Sequence, residues 1–135
     1  MNIDERMLST FERAVLEKLL DGKHPVLAAL RAQLASCQVS SREFTGHGFF
    51  TNLKVERSVE PAPTSRPRIQ IRDVGGKISG LEYGAGFVAF VAGGYLEFLE
   101  GFSYSEPWPP VISEFSLFYE GQRIEDPGAV NLADS

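Results

Sequence analysis

The spacing of apolar residues changes once along this chain, near Val39, and that change restricts the fold more than any other feature. Before it, apolar side chains recur every three or four positions, the period of a helix with one buried face. After it they alternate, the period of a strand with one buried face. Helices first and strands afterwards do not suit a wound parallel sheet. They predict an α+β fold.

The first third reads as two helices. STFERAVLEKLLDG opens on Ser9 with Glu12 three positions later, the two halves of a capping box. Phe11, Val15 and Leu19 share a face, with Leu16 and Leu20 beside them, and Gly22 suits the left-handed position after the last turn. In HPVLAALRAQLASC, Pro25 fits the first helical position, and Leu27, Leu30 and Leu34 form the apolar stripe. So short a link predicts an αα-hairpin over about residues 9–37.

The remainder predicts an antiparallel meander of about five or six strands over residues 39–120. Phe49, Thr51, Leu53 and Val55 fall on one side of their strand, after a turn that Gly46 and Gly48 permit. Three prolines in SVEPAPTSRP, residues 58–67, mark an exposed loop. RIQIRDV is the next strand. The clearest hairpin is GFVAFVAGGYLEFLEGF, where Gly93-Gly94 separates two β-rich runs. EFSLFYE, residues 114–120, alternates once more, and the tail over 121–135 lacks periodicity and should fray. With 135 residues and 43% hydrophobic content, the chain has the size and composition of a single folded domain.

Charge divides unevenly. Residues 1–80 hold twelve Lys/Arg against nine Asp/Glu, whereas residues 81–135 hold one, Arg123, against nine. An acidic second half repels phosphate backbones, so no nucleic-acid partner is expected. It attracts and steers a basic partner, and it also serves solubility. The N-terminal MNIDERMLST has Asp4 and Glu5 and no apolar core, unlike a signal peptide, and no apolar run approaches the ~18 residues of a membrane span. The lone Cys37 cannot form an intrachain disulfide. A cytoplasmic protein without membrane contact is the expectation.

Residues able to do chemistry are few. His24, His47 and Cys37 stand in no metal-ligand frame, so no metal is expected. His24 suits a helix cap. His47, between two glycines, suits a turn and is otherwise a candidate base. Cys37 follows the negative end of a helix, which disfavours a thiolate. Gly75, Gly76, Gly80, Gly84 and Gly86 do not lead a strand into a helix, which gives no phosphate loop and no cofactor; they read as turns between strands. Carboxylates remain: Glu97, Glu100 and Glu106. In a regular strand Glu97 sides with Tyr95 and Leu99, and Glu100 with Leu96, Phe98 and Phe102. Glu100 is then partly buried, or Gly101 marks a bulge that turns it outward. A partly buried Glu100, working with Tyr83, Tyr104 or His47, is the candidate catalytic group, and a satisfied structural carboxylate is the alternative.

SYSEPWPP, residues 103–110, is stiffened by Pro107, Pro109 and Pro110 and carries Tyr104, Glu106 and Trp108. Prolines lower the entropy lost on binding, and Tyr and Trp are frequent interface anchors. Trp108 otherwise closes the core as a lid. The run GAGFVAFV…YLEFLEGFSYSEPWP, over residues 85–109, resembles the C-terminal segment of small uncharacterised bacterial proteins. These end in a hairpin followed by Phe-Leu-Glu-Gly-aromatic-x-Tyr…Trp-Pro. That resemblance carries no activity with it.

The sequence therefore leads to a non-enzymatic protein-binding protein with Glu97, Glu100, Tyr104, Glu106 and Trp108 in its contact surface. An immunity protein for a basic toxin is one form of such a binder, suggested by size and charge alone. A small enzyme or ligand-binding domain built on Glu100 is the second reading. A homodimeric subunit joined through exposed sheet is the third.

Overall fold

Ser9 and Glu12 close the reciprocal cap that their spacing predicts. The Glu12 N–H donates to Ser9 Oγ at 3.0 Å, and the Ser9 N–H donates to Glu12 Oε1 at 2.8 Å. The computed structural model describes residues 3–121, and this cap starts its second helix. The helices are α1 (Ile3–Arg6), α2 (Thr10–Leu19) and α3 (Pro25–Leu34). The strands are β1 (Gln38–Phe44), β2 (Gly48–Lys54), β3 (Arg68–Ile78), β4 (Ala85–Ala92), β5 (Tyr95–Ser103) and β6 (Phe115–Tyr119). The expected α+β fold is present, with a helix pair packed on an antiparallel sheet. The stretch from residue 122, expected to fray, lies outside the described residues.

Pro25 opens α3 behind the N-cap His24, whose Nδ1 accepts the Val26 N–H at 3.2 Å. Arg31 reaches back from α3 and donates to the carbonyls of Leu20 and Gly22 at 2.6 and 2.8 Å. These carbonyls end α2, where a cation is also favoured by the helix dipole. The helix pair is thereby held by a charged clamp as well as by its leucines.

The six strands run in the order β1-β2-β5-β4-β3-β6, and every neighbouring pair is antiparallel. The expected simple meander is therefore corrected. Only β3-β4-β5 is a meander; β2 pairs with β5, and β6 returns beside β3. Loops 55–67 and 104–114 make the two crossovers. Alternation within a strand says which face is buried but not which strand lies alongside.

Two local assignments also change. Gly75, Gly76 and Gly86 sit inside β3 and β4 rather than in turns. The expected grouping of Leu96 with Glu100 also fails, because a bulge lies at Glu97, where the pairing steps from Phe90↔Phe98 to Val91↔Leu96; Glu100 itself is partly buried, the first of the two alternatives. One extra residue reverses the alternation, so Leu96 and Leu99 are both buried although three apart. Gly101 stays in register with Phe49, whose ring occupies the place of its missing Cβ.

The core lies between helices and sheet. Leu16, Leu19, Leu30, Ile69, Phe87 and Leu99 are among its fully buried members, each stabilising the fold by roughly 1.5–3 kcal/mol. Phe11 of α2 meets Phe49, Phe87 and Phe115 edge to face at 6.2, 5.7 and 4.9 Å. Phe49 and Phe87 therefore point towards the helices. Their strand neighbours Phe50, Val88, Phe98 and Glu100 point the other way, onto a face that no described helix covers.

Candidate functional site

The open face of the sheet is where the chain's unused chemistry gathers. At its centre Phe98 stacks on Phe90 at 4.2 Å and meets Phe50 edge-on at 5.6 Å. Further along β5, Phe102 meets Tyr104 edge-on at 5.6 Å. Beyond them Gly75 of β3 and Gly86 of β4 are register partners on this same face. A side chain at either would collide with its neighbours. The Cβ of Gly86 would lie 3.0 Å from the Tyr104 hydroxyl, and that of Gly75 would lie 2.8 Å from Glu120 Oε1 and 3.0 Å from the Phe118 ring. The two glycines let Tyr104, Phe118 and Glu120 fold down over bare backbone.

The result is a groove of about 730 Å³ at the β3–β4 turn, whose walls include Tyr83, Tyr104 and Phe118, with Glu82, Glu114, Glu120 and Lys77 also lining it. The three aromatics are 66%, 44% and 42% exposed, unusually open for large rings. Burial pushes the Tyr104 phenol above its ordinary pKa, and the Glu120 carboxylate adds to the effect. The groove thus holds three carboxylates against one ammonium among aromatic walls. That arrangement suits a cationic group, which gains from carboxylates and from ring faces together.

Glu106 is bound to the neighbouring turn. Its two carboxylate oxygens accept the N–H groups of Tyr83 and Glu82, each at 2.9 Å. It therefore braces the turn bearing Tyr83. Ser103 Oγ in turn donates to the Glu106 carbonyl, and Ser105 adopts a left-handed φ of 71° between them.

The other expected contact residues are separated by the fold. Trp108 lies on the helix side, edge-on to Phe49 at 5.3 Å, and its backbone N–H donates to the Gly46 carbonyl at 2.8 Å. It packs against the core as a half-buried lid, away from Tyr104. A crevice of about 370 Å³ there is lined by Phe11, Phe44, Phe49, Trp108 and Ile112, with Glu12 and Arg42 at its polar side. Glu97 is exposed at the bulge near the Gly93-Gly94 end of β5. Glu100 stands mid-strand on the open face, half-buried between Phe50 of β2 and Val88 of β4.

His47 is exposed in the β1–β2 turn, where its carbonyl accepts the Ser103 N–H at 2.8 Å and lies 3.1 Å from the Ser103 hydroxyl. Among the described residues no hydrogen bond joins Glu100 to Tyr83, Tyr104 or His47. No three His, Cys, Asp or Glu residues gather as metal ligands among the described residues. Cys37 is half-buried, and that burial pushes its thiol pKa up despite the nearby Arg13 and a backbone hydrogen bond. No described helix is long and apolar enough to cross a membrane.

Sequence reasoning missed Glu82, Glu114, Phe118 and Glu120 as one group. The alternation in EFSLFYE places Phe118 and Glu120 on one face, but only the β3–β6 pairing brings them to Tyr104. The chain matches no family model, no curated protein and no solved structure.

Proposed function

We propose that this chain is a non-enzymatic protein-binding domain of the cytoplasm, whose open sheet face receives a basic partner protein. The observation that carries this reading is the groove in which Glu82, Glu114 and Glu120 surround Tyr83, Tyr104 and Phe118. Carboxylates give long-range attraction and speed encounter. Exposed rings, one of them on a braced turn, give the short-range contacts typical of anchors. The same carboxylates oppose a nucleic-acid partner. A toxin-neutralising immunity role is the form of the reading that small size and acidic charge suit. The enzymatic reading has less support, because the groups around Glu100 are apolar side chains and not acid–base partners.

Affinity capture from lysate tests the proposal, with the wild-type chain and an E82K/E114K/E120K variant as paired baits. Basic proteins should be retained by the wild type and lost by the variant. Retention should also fall as salt rises from about 0.1 to 1 M, which shortens the screening length from roughly 10 to 3 Å. Equal retention by both baits, or retention indifferent to salt, overturns it.

A further inference from the structure

We infer that Glu100 is the specific receptor for an arginine or lysine side chain that the basic partner inserts into the centre of the open face. The inference rests on the binding role proposed above and goes further, naming a second contact point apart from the groove. Register places Phe50 on one side of Glu100 and Val88 on the other. Phe98 and Phe102 lie before and after it on the same face of β5. The carboxylate thus rises from the middle of an apolar ring of four side chains. No cation and no hydrogen-bond donor reaches it among the described residues.

A carboxylate held in apolar surroundings without a partner is unfavourable, and burial already pushes its pKa up. The arrangement becomes favourable when a cation arrives. A guanidinium or ammonium group would pair with the carboxylate while its alkyl stem covers the rings, and the flanking ring faces attract the same charge. Charge also decides between occupants. A second copy packing through this face about a two-fold axis would bring one Glu100 towards the other, and like charges oppose that. A cationic partner meets no such repulsion.

The test uses two peptide probes, acetyl-Leu-Arg-Leu-amide and its citrulline counterpart, which has nearly the same shape and no charge. Isotope-labelled protein is titrated with each and followed by NMR. The arginine peptide should shift the Glu100 carboxyl signal and the Phe50, Phe98 and Phe102 amides in a saturable way. The citrulline peptide should bind at least tenfold more weakly, as should the arginine peptide to Glu100→Gln. Glu100→Gln should melt no lower than the wild type, so lost binding cannot be lost folding. Glu120→Gln should alter affinity at the Glu100 position by less than twofold. Shifts confined to Tyr83, Tyr104 and Phe118 overturn this inference while leaving the groove reading intact. Dilution-dependent shifts at Phe50 and Phe98 without peptide assign the face to a second copy and overturn it too. No saturable shift at either place at millimolar peptide overturns the inference and counts against the proposed function as well.

Discussion

Glu12 of α2 and Arg42 of β1 meet in a two-pronged ion pair, Nε to Oε2 at 2.9 Å and Nη2 to Oε1 at 2.8 Å. Thr51 Oγ1 adds a third donor to Oε2 at 2.6 Å, and the Ser9 N–H a fourth to Oε1. The same carboxylate therefore caps its own helix and fastens that helix to two strands. Arg42 also donates to the Glu5 and Met7 carbonyls at 2.7 and 2.9 Å, which ties down the chain before α2.

Removing Arg42 leaves Glu12 buried without its cation. Arg42→Met should cost about 3 kcal/mol, near the lower end for a broken buried pair because the arginine is partly exposed. Urea unfolding measures it. Burial by itself would raise the Glu12 pKa, but the hydrogen bonds from Arg42, Thr51 and Ser9 and the Arg42 charge together hold it below 4.5. A depressed folded pKa gives stability that is present above the unfolded value and lost as pH falls through the folded one. Wild-type stability should therefore fall below about pH 4.5, and Glu12→Gln, less stable at pH 7, should show a shallower fall. Parallel acid slopes for the two proteins would contradict this.

Glu100 should behave in the opposite sense. Burial raises its folded pKa, so the ionised form is disfavoured in the fold. The penalty is absent below the unfolded value, grows as pH rises between the two pKa values, and is complete above the folded one. Glu100→Gln should melt at or above the wild type at pH 7, and the difference should vanish below about pH 4.5. A variant that melts lower at pH 7 would mean that the carboxylate has a stabilising partner.

Gln33 of α3 is fully buried and spends its amide on backbone. Its Nε2 donates to the Gly94 and Glu60 carbonyls at 2.8 and 3.2 Å, and its Oε1 accepts the Leu96 N–H at 2.9 Å. One side chain thus joins helix, proline-rich loop and hairpin. Gln33→Leu should cost about 1–3 kcal/mol, the penalty for buried polar groups left unpaired. Amide exchange should accelerate most at Leu96. Unchanged exchange there would remove Gln33 as the clamp.

Trp108→Ala should lower stability by about 2–3 kcal/mol, less than for a fully buried aromatic because the ring is half-exposed. It should leave the Phe102 and Tyr104 signals in place, since they lie on the other face. Glu106→Ala, by contrast, should cost about 1 kcal/mol and speed amide exchange at Glu82 and Tyr83. Disturbed Tyr104 signals in Trp108→Ala would mean that the two faces are coupled through the 103–110 loop.

Part of this arrangement was legible residue by residue. The Ser9–Glu12 cap, Pro25 at the start of α3 and the Gly93-Gly94 turn, with φ of 58° and 85°, depend on neighbours only a few positions apart. Burial of Phe49, Thr51 and Leu53 follows from alternation in one strand. The loop at 58–67 reads from its prolines as exposed, and most of it is. Yet Ala62 is buried, and its N–H donates to the Gly94 carbonyl at 2.8 Å, a contact with no local signal.

The sequence by itself determined the fold class, the starts of α2 and α3, the main turn and the buried face of strands such as β2, because periodicity and capping are short-range properties of the chain. Tertiary structure alone decided the strand order, the bulge at Glu97 that reverses the end of β5, and the partners of the acidic residues. Glu106 became a brace and Trp108 a lid, while Glu120 joined Tyr104 across β6, β3 and β4. Those outcomes depend on which strands lie side by side and how side chains fit across them. Such contacts join residues far apart in the chain, so no local spacing encodes them.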